Sequence, residues 1–469
     1  MKDDILSNNV LKDEIFKYFK DKKISLLGFG RSNYSISKIF DKCGIDFKIL
    51  DKTDRFDKIN EFKNSKVEYL FGEDYLSDIS NCDIVFRSPG IKYNDEMKNA
   101  VKNGVKFTSE ISFFYKFCRS KNIFAITGSD GKTTSSNIIY EILKKSGKKV
   151  FLGGNVGIPV SSYIFEILKD DFIVLELSSF QLFDCKIRSK VSLITNISEN
   201  HLDWHTNFEE YTNTKSNIFK NQNYDDLLVL NYDDKYSSYM KNKAKSKIRF
   251  FSLKNKLSNG TFLDDNQICF SENGNMFEVI DINNIKIPGM HNVENFMSAI
   301  SCCFDFVSID DIRYVCKNFS GVKHRIEFVS EINGVKYFDD SIASTPNRVI
   351  KGSLSLFKNN IILIAGGYDK KLDFKEFADC ICKKVKSLIL MGQTANKIEK
   401  YVLESNVRTK PKIVKVSSMY EAVLESYRNS SQNDVVLLSP SCASFGMYND
   451  FEERGNDFKK CVLKLKNSV

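Results

Sequence analysis

The stretch Ala125–Thr134 reads AITGSDGKTT and decides the fold. It overlaps an apolar run at 123–127, which predicts a buried strand, and a helical pattern follows from about residue 134 to residue 146. A strand, a glycine-rich loop and a helix in this order are typical of a phosphate-binding loop, because backbone N–H groups and the helix N-terminus then face phosphate oxygens. The sequence therefore predicts a nucleotide-phosphate site at the end of this strand.

Two side chains of this loop have the chemistry that such a site needs. Lys132 is expected to neutralise the charge of the β- and γ-phosphates, and Thr133 is expected to place its hydroxyl on Mg²⁺. Ile126 stands where the first glycine of the usual GxxxxGK spacing belongs. An ordinary glycine-rich turn is therefore the alternative to a phosphate loop.

Short apolar runs alternate with helical patterns on both sides of this loop. Strands are predicted at 24–29, 47–50, 84–86, 172–176, 191–196, 335–339, 361–365, 388–392 and 435–439, with a helix at 32–43 after the first. Continuous apolar strands are typical of parallel sheets that helices cover on both faces. The prediction is an α/β chain of three domains, 1–110, 111–320 and 321–469, of which the first and last are Rossmann-like. Residues 227–287 are more polar, which indicates a meander or an insertion.

Composition excludes several classes of protein. The chain has 469 residues, of which 42% are apolar and 28% charged, as in ordinary globular proteins. No apolar run approaches the roughly 18 residues of a membrane span, and the start MKDDILSNNV lacks the apolar region of a secretory signal. The net charge of +9 comes from lysines scattered among acids rather than from a basic stripe. We therefore expect a cytoplasmic protein that binds neither nucleic acid nor membrane, with its twelve cysteines reduced.

Polar residues follow two of the strands in the middle of the chain. Glu176 ends a buried strand, where a carboxylate must be paired, protonated or on a metal; a salt bridge or a helix cap is the alternative. The next strand leads into NISENHLDWH at 196–205. His201 and His205 are each candidates for a metal ligand, although a hydrogen-bonded core histidine is the commoner case for either one alone.

Three strand ends in the last third of the chain are polar or glycine-rich, at 339–341, 366–367 and 439–441. They indicate a second ligand-binding edge. Gly28-Phe29-Gly30 is half of a dinucleotide fingerprint, and Asn33 replaces its third glycine.

Together these stretches resemble the Mur ligase family over nearly the whole chain. The matching stretches are AITGSDGKTT, GGNVGIP (153–159), LELSSFQL (175–182), NISENHLDWH, GMHNVENFMSAI (289–300), GVKHRIEF (321–328) and LLSPSCASFGMYNDFEERGNDF (437–458). The third and the last are most typical of the members that add D-glutamate. The resemblance implies a UDP-substrate domain, a central ATPase domain and a C-terminal domain that binds the amino acid.

The resemblance also implies a reaction and a set of site residues. A monomer would ligate D-glutamate to UDP-N-acetylmuramoyl-L-alanine through an acyl phosphate, with ATP and two Mg²⁺ ions as cofactors, in peptidoglycan precursor synthesis. The catalytic positions are Lys132, Glu176, His201 and Lys215; the metal positions are Thr133, Glu176, His201 and a carbamylated Lys215; the ATP positions are Gly128, Ser129, Asp130, Gly131, Lys132, Thr133, Thr134, Asn292, Asn295, Arg325 and Asp340; and the substrate positions are Arg31, Ser32, Asp51, Lys52, Asn155, Ser178, Gln181, Ser344, Lys370, Ser444 and Phe451.

The chain departs from the family pattern near the expected amino-acid site. Ile342 replaces a lysine that many members have, Ser344 replaces a threonine, and GGYDKK at 366–371 replaces GGDGK. These changes bear on the affinity for D-glutamate more than on the reaction class. Lys215 is a separate case, because the sequence alone places it on the surface of a helix, whereas carbamylation requires a neutral amine that burial favours.

Two other readings compete with this one. The first is another amide-forming ligase of the same fold, such as a folylpolyglutamate synthase or a different Mur ligase, and the SPSCAS segment argues against it. The second is a nucleotide-binding scaffold without ligation. Glu176, His201 and Lys215 argue against the scaffold, because holding a nucleotide does not require a second metal site.

Overall fold

The computed structural model describes residues 2–54, 56–185, 187–198, 204–357, 360–370 and 372–468. Its strands form three sheets. The first two sheets lie in one compact unit, Met1–Ile282 with Val293–Cys316, and the third lies in a second unit, Asn283–Asn292 with Lys317–Val469. Three strand-containing domains match the three predicted series of strands, while the boundaries near 110 and 320 stay a prediction.

The first sheet has five parallel strands in the order β3-β2-β1-β4-β5. Its strands are β1 Ile24–Leu27, β2 Phe47–Asp51, β3 Val67–Phe71, β4 Ile84–Arg87 and β5 Lys106–Thr108, and its helices are α1 Lys2–Phe19, α2 Arg31–Cys43, α3 Phe56–Ile59, α4 Asp95–Lys102 and α5 Glu110–Phe117. The strand order reverses between β1 and β4, and ligands of such sheets bind in the crevice at that point. A ligand of this sheet is therefore expected at the loops after these two strands.

The second sheet has nine strands in the order β14-β13-β12-β11-β10-β9-β6-β8-β7. The strands are β6 Asn122–Thr127, β7 Val150–Gly154, β8 Phe172–Glu176, β9 Val191–Ile194, β10 Leu227–Asn231, β11 Lys247–Ser252, β12 Gly260–Asp264, β13 Gln267–Glu272 and β14 Asn275–Asp281. The helices along this part of the chain are α6 Lys132–Lys145, α7 Ser179–Leu182, α8 Phe208–Ser216, α9 Ser237–Lys243, α10 Met290–Cys303 and α11 Ile309–Asn318.

The prediction of a meander or insertion at 227–287 was wrong for its first half. Strands β10 and β11 extend the parallel sheet, and all five residues of β10 are buried. Only β12, β13 and β14 form an antiparallel meander. The polar residues that flank β10 and β11 hid these two short strands from a reading based on apolar runs.

The third sheet has the order β15-β16-β20-β17-β18-β19, with only β15 antiparallel to its neighbour. Its strands are β15 Glu327–Ile332, β16 Val335–Asp339, β17 Ile361–Ala365, β18 Val385–Leu390, β19 Lys412–Lys415 and β20 Val435–Leu438. Its helices are α12 Pro346–Lys351, α13 Ser353–Leu356, α14 Lys375–Lys384, α15 Ala395–Glu404, α16 Met419–Arg428 and α17 Phe451–Lys466. The three strands predicted to end in polar or glycine residues, β16, β20 and β17, are adjacent, as expected.

Alternate residues of the central strands enter opposite cores. In β17, Leu363 and Ala365 pack in one apolar cluster, and Ile362 and Ile364 pack in another on the other face of the sheet. Burial of each leucine or isoleucine side chain in these clusters stabilises the fold by roughly 1.5–3 kcal/mol. Among the described helices, none combines the length and the apolar character that crossing a membrane requires.

Candidate active site

The predicted phosphate loop lies between β6 and α6. Residues Gly128–Gly131 form the loop, and the helix begins at Lys132, two residues earlier than predicted. Gly131 has φ +79°, and a Cβ there would collide with Asn295 Oδ1. Gly128 has φ +151°, and a Cβ there would collide with Thr195 Oγ1. Both positions therefore require glycine, because the side chains of Asn295 and Thr195 lie directly against the backbone of this loop.

The loop residues between the two glycines are fixed by the segment that follows β9. Ser129 N donates to Asn196 O at 2.9 Å, and Asp130 N donates to the Asn196 side chain at 2.9 Å. Ser129 Oγ contacts Ser198 O at 3.0 Å and the Tyr211 hydroxyl at 2.9 Å. Thr133 is buried and Thr134 half-buried in the first turn of α6.

Two lysine amines share one carbonyl oxygen of the loop. Lys132 Nζ donates to Gly128 O and to Ser129 O, both at 2.8 Å. Lys215 Nζ donates to Gly128 O at 2.7 Å and lies 3.3 Å from Thr127 Oγ1. The structure therefore brings the Lys215 amine directly to the phosphate loop.

Lys215 is not a surface residue, so the reading from sequence alone was wrong. Lys215 is 2% exposed, and its Nζ lies 4.8 Å from the centroid of the Tyr211 ring. Burial and the neighbouring charge of Lys132 hold the pKa of the Lys215 amine well below its ordinary value. The uncharged amine that this favours is a nucleophile.

Glu176 ends β8 beside β6 and is 2% exposed. Its Oε1 accepts a hydrogen bond from Asn155 Nδ2 at 3.0 Å. Its Oε2 is buried and has no hydrogen-bond partner among the described residues. A buried carboxylate oxygen without a donor is costly, and a cation there would satisfy it.

Five of the predicted substrate residues line one cavity. Arg31 and Ser32 come from the start of α2, and Asn155, Ser178 and Gln181 come from the second sheet and its helix α7. The cavity has a volume of about 200 Å³, and Pro89, Gly90, Gly154, Gly157, Pro159 and Phe180 complete its wall. It lies at the point where the strand order of the first sheet reverses.

The cavity wall at α7 is rigid because of a capping box. Ser178 Oγ accepts from Gln181 N at 3.3 Å, and Gln181 Oε1 accepts from Ser178 N at 3.0 Å. These bonds satisfy N–H groups at the helix start that have no intrahelical partner. A helix of only four residues is thereby fixed in place.

Asp51 and Lys52 lie outside that lining. Asp51 is buried and accepts hydrogen bonds from Phe29 N at 2.6 Å and Thr53 N at 2.8 Å. It thus holds the glycine turn after β1. Lys52 is exposed and pairs with Glu73 at 3.1 Å.

Of the two candidate histidines of the middle segment, the structure describes His205. His201 lies outside the described residues. His205 is buried, its Nε2 lies 3.0 Å from Ser179 Oγ, and its ring packs against Trp204 and Tyr211. His205 is thus a hydrogen-bonded core histidine.

The two asparagines predicted for ATP lie on α10. Asn295 is buried and accepts from Ser135 Oγ of α6 at 3.2 Å. Asn292 Nδ2 donates to Pro288 O at 2.6 Å.

In the second unit, Asp340 follows β16 and is buried. Its Oδ2 accepts from Ser439 Oγ at 2.8 Å, and burial raises the pKa of its carboxyl to about 6. Arg325 is exposed. The sequence analysis missed Arg348. Burial and the charge of Arg325 lower the pKa of its guanidinium, while the charge of Asp340 opposes that shift.

The loops after β16, β17 and β20 meet at the edge where the amino-acid residues were predicted. Ser444 is buried and Ser344 half-buried there, while Lys370 is exposed. Phe451 begins α17, and its carbonyl accepts from Ser341 Oγ at 2.8 Å.

Arg454 was also missed, and it joins two of these loops. Its guanidinium donates to Ser341 Oγ at 3.0 Å, Ser341 O at 2.8 Å and Cys442 O at 3.1 Å. Burial lowers the pKa of Arg454 to about 10. The available sequence signal was a lone arginine among apolar positions of a helix.

Three family models match the chain in succession. Residues 22–109 match the Mur ligase MurD-like N-terminal domain, residues 126–303 the Mur ligase middle domain, and residues 324–442 the Mur ligase glutamate ligase domain.

Curated relatives match almost end to end. A protein of Acetivibrio thermocellus named UDP-N-acetylmuramoylalanine–D-glutamate ligase is 44% identical over 466 residues, covering 98% of this chain and all of the relative. A protein of the same name from Clostridium tetani is 44% identical over 460 residues, covering 97% and 99%.

Solved structures share the fold at low identity. A UDP-N-acetylmuramate-alanine ligase from Thermotoga maritima has a TM-score of 0.54 and 18% identity, covering 96% of this chain and 100% of that one. A UDP-N-acetylmuramoyl-L-alanyl-D-glutamate–2,6-diaminopimelate ligase has a TM-score of 0.57 and 16% identity, covering 90% and 92%. With three matching domains and relatives of 44% identity along its whole length, this chain belongs to the Mur ligase family.

Proposed function

We propose that this chain is an ATP-dependent ligase that joins D-glutamate to UDP-N-acetylmuramoyl-L-alanine, releasing ADP and phosphate, in peptidoglycan precursor synthesis. The relatives that share 44% of its residues carry the name of that activity. One structural observation carries the proposal beyond nucleotide binding, namely the buried Lys215 amine on the carbonyl of the phosphate loop. A nucleotide-binding scaffold has no use for such an amine.

The proposed chemistry has two steps. The substrate carboxylate attacks the γ-phosphate of ATP, which gives an acyl phosphate and ADP. The amine of D-glutamate then attacks the acyl carbon, a tetrahedral intermediate forms, and phosphate leaves as the amine loses a proton. Lys132, at the start of α6, supplies positive charge where two anions must meet.

Lys215 would act as a carbamate. Its neutral amine adds CO₂ and releases a proton, which converts an uncharged group into an anion that prefers a metal partner. The lowered pKa and the burial of Lys215 support this step.

The described residues fit Mg²⁺. Thr133, Glu176 and the Lys215 carbamate would hold it, with His201 proposed for a second ion. The bare Glu176 Oε2 is the structural reason for expecting a cation there. When bound, Mg²⁺ lowers the repulsion between the attacking carboxylate and the phosphates.

Each of the three domains would bind a different substrate. Residues 1–110 would bind the UDP-sugar, together with the cavity lined by Arg31, Ser32, Asn155, Ser178 and Gln181. Asp51 and Lys52 would act at its uracil end. Residues 111–320, with Asn292, Asn295, Arg325 and Asp340, would take ATP. Residues 321–469 would present D-glutamate through Ser344, Lys370, Ser444 and Phe451. We propose a cytoplasmic monomer.

Phosphate release from ATP tests the proposal. Purified protein is supplied with Mg²⁺, bicarbonate, UDP-N-acetylmuramoyl-L-alanine and either D-glutamate or L-glutamate. We expect release that depends on both the nucleotide sugar and the D isomer. Release with a different amino acid would keep a ligase but contradict the D-glutamate assignment, and no release with any pairing would favour the scaffold.

A further inference from the structure

Arg87 is the last residue of β4 and is 1% exposed. Its Nε donates to Asp184 Oδ2 at 2.7 Å, and its Nη2 lies 2.5 Å from the same oxygen. Its Nη1 donates to Ile91 O and approaches Pro89 O at 3.3 Å and Ser88 O at 3.4 Å. One guanidinium therefore binds a carboxylate and a loop of backbone carbonyls together.

These partners belong to two segments that contribute to the lining of the 200 Å³ cavity. Pro89 and Gly90 line it from the loop after β4. Asp184 comes two residues after α7, the helix that contributes Phe180 and Gln181 to the same lining. Arg87 thus joins a loop of the first sheet to a helix of the second.

The surroundings make this link rigid. The guanidinium carbon lies 5.1 Å from the centroid of the Tyr93 ring and 6.0 Å from that of Trp204. A charge buried among aromatic rings must keep its partners, because losing one leaves an uncompensated ion. Only a planar fork of donors reaches both partners, which the single ammonium of lysine cannot do.

We propose that Arg87 is a positioning residue for the nucleotide sugar, holding these two segments of the cavity lining at a fixed separation. Arg87 is not among the described residues that line this cavity, so it acts through Pro89–Gly90 and α7. The inference rests on the proposed function for the identity of the ligand.

Arg87→Lys tests the inference, with Arg249→Lys as the matched control. Arg249 is also a buried arginine of a strand, 4% exposed, and donates to Ser301 O at 2.9 Å, Glu272 at 2.6 Å and Asp305 at 2.9 Å. Its contacts are not part of the cavity wall. We expect both variants to lose comparable stability in thermal melts, so a merely structural role predicts the same kinetics for both.

We expect Arg87→Lys to raise the KM for UDP-N-acetylmuramoyl-L-alanine about tenfold, the effect of losing one charge-assisted hydrogen bond. The kcat and the KM values for ATP and D-glutamate should change less than about twofold, since the phosphate loop is not touched. Arg249→Lys should leave all three KM values unchanged. An unchanged KM for the nucleotide sugar in Arg87→Lys overturns the inference.

Asp184→Asn is the second variant, for the case in which Arg87→Lys does not fold. It removes the ion pair but leaves the loop bonds of Arg87, so the same KM should rise by a smaller factor. Calorimetric titration with the nucleotide sugar and no ATP separates the two proposals. A wild-type protein that binds it without ligating contradicts the proposed function only, and weaker binding by the Arg87 variant then still supports the positioning role. A wild-type protein that does not bind it overturns the positioning role.

Discussion

At the scale of a single residue, the lowered pKa of the Lys215 amine at the phosphate loop leads to a testable prediction. We expect Lys215→Ala to lower phosphate release by at least about a hundredfold, because the group proposed to hold the metal is lost. A small carboxylic acid in the buffer should restore part of the activity by occupying the space. The control is Lys220→Ala, an exposed lysine just beyond α8, which should behave as wild type. Full activity of Lys215→Ala without added acid would contradict the proposal that Lys215 acts as a carbamate.

Asp340 gives a prediction about stability and pH. Its carboxyl has a folded-state pKa raised to about 6 by burial, so the penalty of burying its charge is absent below about pH 4 and complete above pH 6. Replacing it by asparagine should therefore stabilise the protein at pH 8 by about 2–3 kcal/mol and have little effect at pH 4. Urea denaturation at both pH values measures this. Exposed Asp310→Asn should show no comparable gain at pH 8, and equal effects of Asp340→Asn at both pH values would contradict the burial argument.

At the scale of elements, the two ends of α6 offer a matched pair of glycines. Gly131 has φ +79° and Gly147 has φ +80°, but a Cβ would collide only at Gly131, with the Asn295 side chain. Alanine at either position should cost about 1–2 kcal/mol of stability through backbone strain. Only Gly131→Ala should weaken ATP binding, by about tenfold or more, since its loop must face the phosphates. Titration with a non-hydrolysable ATP analogue distinguishes them, and equal affinity of the two variants would speak against a phosphate loop here.

The strands that were predicted are buried apolar runs of four to six residues in parallel sheets, and most of their bounds differ from the observed ones by only a few residues. Strands β10 and β11 were missed because polar residues surround them. Strands β3, β5, β7, β15 and β19 were also missed, because they are only partly buried and do not form continuous apolar runs. The phosphate loop was predictable because its chemistry is local. The burial of Lys215 was not, since α8 reads FEEYTNTKS and its buried face is set by packing against distant elements.

Arg87 and Arg454 were missed for the same physical reason. Each pairs with a residue about a hundred positions away, Arg87 with Asp184 and Arg454 with Ser341, so no local spacing reveals these contacts. The charge at the end of the run IVFR was the one sign that β4 ends in a paired arginine. Ion pairs of this kind are a property of the folded chain rather than of a motif.

At the scale of the whole molecule, the twelve cysteines predict a thiol titration. All are free, and all except Cys43 and Cys380 are buried. Burial raises the pKa of Cys43 to about 11 and also raises that of Cys380, so even these two should react slowly. We expect at most two thiols to react with an aromatic disulfide reagent at pH 7.5, and all twelve after unfolding in guanidinium. Rapid reaction of more than two in the folded protein would contradict the packing.

The hydrogen bonds of Lys132 to its own loop bear on which anions this loop can bind. Its ammonium already donates to two carbonyl oxygens, and these oxygens compete with any incoming anion for the ammonium. A chloride ion or a single inorganic phosphate offers little more than those carbonyls do, whereas a triphosphate chelated to a divalent ion offers several charges at once. We therefore expect the loop to bind polyphosphates in preference to the surrounding salts and to a single inorganic phosphate.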